Sequence, residues 1–390
     1  MIPYGRQNIS ANDIEAVKDV LQSDFLTQGP LVPLFENKIC EYTGAKYGVA
    51  TNSATSSLHI ACMALGVGKG DIVWTTPISF VASSNCALYC GASVDFVDVE
   101  SDSANLSVTS LKQKLIKAKE EKKLPKVVIP VHLSGNPCDM EEIYNLSIEY
   151  GFKIIEDASH AIGGTYKGDK IGNCKFSDIC IFSFHPVKII TTGEGGIALT
   201  NDISLSAVMQ RYRSHGITRD INEMSKKPDG PWYYEQIDLG YNYRMTDIQA
   251  ALGVSQLKMI DNFIAERNEI VKLYYSILQE DDIILPSISS NRYSAFHLFI
   301  IRIKSFKNKN QIKLFESLRS NGIMVNLHYI PIYRHPFYAK MGYKPADFPE
   351  SELYYKEAMS LPIYPGLDKN QIEYICNLIK NPTLNHQTLF

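Results

Sequence analysis

Two short runs, KVVIPVHL at 126–133 and FKIIED at 152–157, are apolar almost from end to end, and the segment between them, 140–150, has helical spacing. A strand that alternates apolar and polar residues needs one dry face, whereas a strand without alternation must be dry on both. A sheet covered by helices on both faces meets that demand, and a helix between consecutive strands makes such a sheet parallel. An α/β layer fold is therefore the expectation.

The same alternation of periods runs from residue 10 to about 200. Ser10 is placed to cap a helix whose apolar residues Ile14, Val17 and Leu21 recur at three and four. Leu34, Ile39 and Tyr42 mark a second helix, which Gly44 can close in a left-handed conformation. Strands are expected at 47–51, 71–76 and, as SVDFVDV, 93–99, with helices at 55–65, 83–90, 111–122 and 140–150. DICIFSF and GGIALTN follow one another with no useful helix between them, so part of the sheet should be antiparallel.

Beyond about Ile203 the texture changes. Residues 218–236 are polar, hold Pro228, Gly230 and Pro231, and read as a long excursion. The segment 245–278 reads as one helix, too long for one compact layer and so expected to bridge domains. After it SAFHLFIIRI and GIMVNLHYI read as strands, and 311–320, 350–359 and 369–378 as helices. The expected organisation is a large unit over 1–255 with a mixed, mainly parallel sheet, and a smaller α+β unit over 256–390.

Composition excludes several functions. Thirty-nine basic against 42 acidic side chains leave a net charge of −3, without the positive field that nucleic acid attracts. No apolar run approaches the roughly 18 residues of a membrane span. The first residues, MIPYGRQNISANDIEAV, lack the layout of a secretion signal, and none of the eight cysteines forms a C-x-x-C pair, so a reducing cytoplasm is expected. No metal spacing is present, and His132, His160 and His185 each read alone as structural histidines. Lys69 in GVGKGD is followed by Gly, and no G-x-G-x-x-G follows a strand, which disfavours nucleotide-triphosphate and dinucleotide chemistry.

Three features carry chemistry. Asp157 ends the run FKIIED, at the carboxyl end of a buried strand, where open α/β sheets bind ligands; alone it could equally cap a turn. Lys188 lies between Val187 and Ile189 in a segment bounded by Gly193, Gly195 and Gly196, where desolvation would lower its amine pKa as a Schiff-base lysine requires. Thr55, Ser56 and Ser57 stand where a helix begins, a place suited to a phosphate or to simple capping. Together these are the parts that pyridoxal 5'-phosphate demands: an amine, a carboxylate for the pyridine nitrogen and a phosphate cup.

With SDFLTQGP at 23–30, NSATSSLH at 52–59, TTPISFVASSN at 75–85, EDASHAIGGTY at 156–166, FSFHPVKIITTGEGG at 182–196, GPWYYEQIDLGYNYRMTDIQAALG at 230–253 and NLHYIPIY at 326–333, the chain resembles the DegT/StrS-type sugar-nucleotide aminotransferases over essentially its whole length. The resemblance implies the aspartate-aminotransferase-type fold (fold type I) and pyridoxal 5'-phosphate as cofactor. It further implies Lys188 as the lysine that condenses with the cofactor, Asp157 at the pyridinium nitrogen, His160 beside the ring and Phe80 on its face. Thr55, Ser56 and Ser183 would hold the phosphate, with Asn242 reaching in from a neighbouring subunit of a homodimer that shares its active sites. Ser183 and Asn242 would also border the substrate, and the sugar nucleotide would be met by Tyr4, Asp24, Phe25, Leu26, Thr27, Ala54, Asn326, Leu327, His328 and Tyr329.

The implied reaction carries an amino group from L-glutamate, leaving 2-oxoglutarate, to the 4-keto position of a UDP-linked 6-deoxy-N-acetylhexosamine, the step that makes UDP-4-amino-4,6-dideoxy-N-acetyl-β-L-altrosamine for pseudaminic acid. Another UDP- or dTDP-linked 4-keto or 3-keto deoxysugar is the alternative acceptor, and a cofactor-bound sensor without turnover is the non-enzymatic one.

Overall fold

Both apolar runs lie at the centre of a seven-stranded sheet in the computed structural model, which describes residues 1–304 and 310–381. Its strands are β1 (Tyr47–Thr51), β2 (Ile72–Thr75), β3 (Ser93–Phe96), β4 (Val127–Ile129), β5 (Lys153–Asp157), β6 (Ile179–Ser183) and β7 (Gly196–Thr200), in the order β1-β7-β6-β5-β4-β2-β3. The pairs β3–β2, β2–β4, β4–β5 and β5–β6 are parallel. Strand β7 alone runs the other way, antiparallel to both β6 and β1, because the chain returns from β6 without a crossover helix. The expected antiparallel part of the sheet is this strand.

Both faces of the sheet are dry. Ile154, Cys180, Phe182, Ile197 and Leu199 pack into one core, and Ile155, Ile179, Ile181 and Ala198 into another on the opposite face. Each Ile, Leu and Phe among them contributes about 1.5–3 kcal/mol by leaving water. The absence of alternation in the sequence is the record of this two-sided burial. The helices α3 (Ala54–Ala64), α4 (Ala82–Tyr89), α5 (Val108–Glu120) and α6 (Met140–Tyr150) occupy the expected segments to within three residues, the helix marked by Leu34, Ile39 and Tyr42 is α2 (Leu31–Thr43), and α7 (Ile203–Arg213) follows β7.

Three expectations are corrected. The helix α1 (Ala11–Leu21) forms, capped by Ser10 in a reciprocal pair with Asp13, but its expected apolar face is wrong: Ile14 is 62% and Leu21 59% exposed. The helix turns Val20 and Asp13 inward instead, and Asp13 Oδ2 accepts from Gln256 Nε2 at 2.8 Å, so a buried polar pair sets its rotation. The long helix of 245–278 is two, α8 (Asp247–Leu257) and α9 (Ile260–Ile277). Between them Lys258 N–H and Met259 N–H bond three residues back, to Ser255 and Gln256, tightening the backbone out of the α-helical ladder with no Gly or Pro to announce it. Finally, residues 358–361 are a strand and not the end of a helix: the helix Pro349–Glu357 stops where Ala358–Leu361 pairs antiparallel with Phe299–Ile303.

That pair and Ile283–Ile284 form a separate three-stranded antiparallel sheet, whose core includes Ile301, Met359, Leu314, Ile375 and residues of α9 such as Tyr274. Inside α9 the buried Arg267 donates through Nη1 to the carbonyls of Phe296, His297 and Ile363 at 3.1–3.2 Å, tying the segment before Phe299–Ile303 to the helix. The expected second unit, 256–390, takes in residues 305–309 and 382–390, which lie outside the described residues. Residues 218–236 form the expected excursion, entered and left by a short antiparallel pair, Ile217–Thr218 with Glu235–Gln236. No helix among the described residues is long and apolar enough to cross a membrane.

Candidate active site

Because β1, β2, β5 and β6 point the same way, their carboxyl ends open on one edge of the sheet and deliver Asn52, Ser79, Asp157 and Ser183 to a single cavity of about 810 Å³. The antiparallel β7 begins at the same edge, with Gly196 in register between Ser183 and Thr51. A Cβ at Gly196 would stand 2.5 Å from the Ala54 nitrogen, so only glycine lets the start of α3 settle against the sheet edge.

That helix start is open. Ser53 caps it, its Oγ accepting from Ser56 N–H at 3.2 Å and its carbonyl from Ser57 N–H, which leaves the Ala54 and Thr55 N–H groups beyond the cap's reach. Ser56 Oγ donates to Asn52 Oδ1 at 2.7 Å, and Thr55, Ser56 and Ser183 all line the cavity. Free N–H groups, hydroxyls and the positive helix end together suit a phosphate.

Asp157 is buried, and both of its oxygens are held. Oδ2 accepts from Ser83 Oγ at 2.6 Å, and Oδ1 from Ser159 Oγ at 2.6 Å and Ser159 N–H at 3.2 Å. Opposite it, burial holds the Lys188 ammonium down to about 8, only partly countered by the charge of Asp157. An amine in that range is about one-tenth neutral at pH 7 and about half neutral at pH 8, a far larger nucleophilic fraction than an exposed lysine has. In the cofactor-free protein, labelling by an amine-selective reagent should therefore rise through about pH 8 for Lys188 and only above pH 10 for exposed lysines; peptide mapping of the labelled residue checks it.

Around Lys188 stand three buried histidines, His160, His297 and His328, each held neutral first by burial and then by the lysine charge; His328 is pushed down to about 3. His328 Nδ1 shares a 2.7 Å hydrogen bond with Ser360 Oγ, and His160 lies against His297 with ring centroids 4.5 Å apart. Phe80 is 59% exposed and faces the cavity, so it is not a core aromatic.

Of the residues expected from the sequence, Tyr4, Ala54, Thr55, Ser56, Phe80, Asp157, His160, Ser183, Lys188, His328 and Tyr329 line this cavity. Seven do not. Asp24, Phe25, Leu26 and Thr27 are exposed beside α8, where Leu26 C=O accepts from Asp247 N–H at 3.0 Å, and Phe25 borders a different groove. Asn242 is exposed and bridged to Ser214. Asn326 pairs through its backbone with Ser360, and Leu327 packs outside the cavity. Sequence reasoning missed Ser83, Ser159, His297 and Gln249. Ser83 and Ser159 lie inside quoted motifs, and Gln249 completes a T-x-x-Q capping box with Thr246. His297 had no signal, since it sits in a segment read as strand and reaches the cavity only through tertiary packing. Among the described residues no cluster of metal-ligating side chains occurs, and His132 is a core histidine bonded to Glu156 at 2.8 Å.

A buried amine facing a buried carboxylate beside a phosphate-competent helix start defines the chain as an aminotransferase-type site on an α/β scaffold. The chain belongs to the DegT/DnrJ/EryC1/StrS aminotransferase family, whose model matches residues 7–380. It is a sugar aminotransferase, and this family works with pyridoxal phosphate. The chain is 38% identical over 376 residues to the UDP-4-amino-4,6-dideoxy-N-acetyl-beta-L-altrosamine transaminase of Campylobacter jejuni, covering 96% of each. It is similar to Helicobacter pylori PseC, an aminotransferase of pseudaminic acid biosynthesis, with a TM-score of 0.87 at 30% identity over 97% of this chain and 98% of that one. It is also similar to Spr1654 of Streptococcus pneumoniae, solved in its PLP-form, with a TM-score of 0.86 at 27% identity over 97% of each chain.

Proposed function

We propose that this enzyme transfers the amino group of L-glutamate to C4 of a UDP-linked 4-keto-6-deoxy-N-acetylhexosamine, giving UDP-4-amino-4,6-dideoxy-N-acetyl-β-L-altrosamine. The observation that carries the reading is the pairing of Lys188 with Asp157 across one cavity, in a chain 38% identical to a transaminase of that name.

The residues present fit pyridoxal phosphate. Thr55, Ser56, Ser183 and the free N–H groups of Ala54 and Thr55 would hold its phosphate, Asp157 its ring nitrogen, His160 and Phe80 its ring, and Lys188 its aldehyde. When bound, the cofactor supplies a protonated ring that withdraws electrons from the carbon losing a proton. The protein's own part is proton handling and exclusion of water. Ser83 and Ser159 fix the Asp157 carboxylate as an acceptor, so that its charge is directed into the cavity. Lys188 Nζ, neutral for a substantial fraction of the time near pH 8, takes the proton from the donor carbon and returns it at the far side of the transfer. Eight free cysteines support a reducing, cytoplasmic setting.

Incubation with glutamate and a panel of UDP- and dTDP-linked 4-keto and 3-keto sugars tests the substrate. Amination of the UDP-linked 4-keto-6-deoxy-N-acetyl sugar should lead the panel, and preference for a dTDP sugar would redirect the assignment.

The enzyme works as a homodimer, with Asn242 completing the partner's phosphate cup. Its exposure outside the cavity of its own chain supports that reading. In mixtures of Lys188→Ala and Asn242→Ala subunits, one site of each hybrid inherits both defects and the other neither. Subunit exchange at equal ratio should restore about a quarter of wild-type activity. No recovery, with hybrids shown to form, returns Asn242 to a structural role.

A further inference from the structure

The bonds of His160 determine which way a proton points at the wall of the cavity. Its Nδ1 accepts from the backbone N–H of Ser134 at 3.3 Å. Ser134 sits in the left-handed region at φ 62°, uncommon for a residue with a side chain, and Gly135 follows at φ 93°, where a Cβ would stand 2.7 Å from the His160 carbonyl. The turn is thus shaped against His160, and its N–H is aimed at that nitrogen. A ring nitrogen that accepts a hydrogen bond carries no proton, so the proton of the neutral ring is on Nε2. Nε2 lies 3.3 Å from Tyr329 Oη, and the two rings are nearly parallel at 19°. Nε2–H therefore donates and Tyr329 Oη accepts, which leaves the phenolic proton of Tyr329 free to be given elsewhere.

Tyr329 lines the same cavity as Lys188 and Asp157, and no described residue accepts that proton. Its backbone neighbour is pinned by Tyr354 Oη, which donates to the His328 carbonyl at 2.7 Å. Of the neighbouring ring nitrogens, His160 Nε2–H is spent on Tyr329 and His328 Nδ1 is engaged with Ser360. An acceptor-only group at the reacting carbon is what such a donor fits, and the carbonyl oxygen of a keto substrate is one.

We propose that Tyr329 is a catalytic hydrogen-bond donor to the carbonyl oxygen of the keto substrate, oriented for that task by His160 as a positioning residue. Tyr329 keeps its proton throughout; burial and the charge of Asp157 hold the phenol far from ionisation. The donor polarises the C=O bond and stabilises the negative charge that grows on oxygen as the amine nitrogen adds to carbon. Since one cavity serves both half-reactions, 2-oxoglutarate presents its C2 carbonyl at the same place.

The inference rests on the aminotransferase reading above, and the tests separate the two. In Tyr329→Phe holoenzyme, kcat for the keto sugar should fall on the order of 10²-fold with KM changed by less than about threefold. The C2 carbonyl stretch of [2-13C]2-oxoglutarate bound to the holoenzyme should move to higher frequency in the variant, with the bound-cofactor absorbance unchanged. Equal rates, or an unmoved stretch, overturn the proposal. In the wild type, 15N NMR of labelled histidines should show His160 with Nδ1 bare and Nε2 protonated. The opposite tautomer overturns the proposal without need of any variant, because Tyr329 would then spend its proton on His160. If the wild type aminates none of the UDP-keto sugars while the infrared and NMR signatures hold, it is the substrate reading that fails.

Discussion

Lys188→Ala is expected to abolish transamination, by at least about four orders of magnitude, while the protein stays folded and still takes up the cofactor noncovalently. Among the described residues the lysine makes no ion pair, and burial, only partly countered by the charge of Asp157, holds its ammonium down, so removing it relieves a desolvated charge. The backbone that positions it is independent of the side chain, since Lys188 N–H donates to the His185 carbonyl at 2.9 Å. Among the described residues no other lysine lines the cavity to supply a second amine. Borohydride trapping followed by peptide mapping should mark Lys188 in the wild type and nothing in the variant. A different labelled lysine would remove Lys188 from its assigned role.

The second large effect is expected at Asp157. Asp157→Asn keeps the volume and fold but replaces an acceptor-only group, held by Ser83 and Ser159, with an amide that is neutral and half donor. A neutral partner cannot keep a positive charge on the cofactor's ring nitrogen, so electron withdrawal from the reacting carbon weakens. The half-reaction with glutamate should slow by on the order of 10²–10³-fold, with thermal midpoint and cofactor content little changed. Near-normal single-turnover rates would refute the assignment. Ser83→Ala, which removes one hydrogen bond to the carboxylate and leaves its charge in place, should be far milder, which separates charge from orientation.

The candidate cofactor edge of the site was legible where its residues lie at strand ends. Asp157 ends a run with no alternation, and Thr55 and Ser56 stand at a helix start after a strand, so local pattern marked them as candidates, while Ser183, which also ends a strand, came with the resemblance. The opposite wall was not legible in this way. His297 comes from a segment that reads only as an apolar strand, and its place against His160 depends on Arg267 of a distant helix bonding to its carbonyl. His328 and Tyr329 were reached through the family resemblance, with no period or spacing of their own to mark them. The rotation of α1 and the break between α8 and α9 escaped for a related reason: a buried Asp13–Gln256 pair and a switch from four-residue to three-residue backbone bonding leave no hydrophobic signature.

The sequence by itself determined that this chain must build a two-sided sheet, part of it antiparallel, and it offered a carboxylate, an amine and a phosphate-competent helix start as candidates for the ligand edge. Those properties follow from burial periodicity and from residues at element ends, which are local. Only the tertiary structure decided which residues face Lys188 from across the cavity, that Phe80 lies open to it, and that Asn242 and the segment 24–27 stay outside it in a single chain. Such facts depend on contacts between residues far apart in sequence. The direction of a hydrogen bond between Ser134, His160 and Tyr329 belongs to the same class, because it arises from the turn that presents an N–H to one ring nitrogen and so assigns the proton on the other.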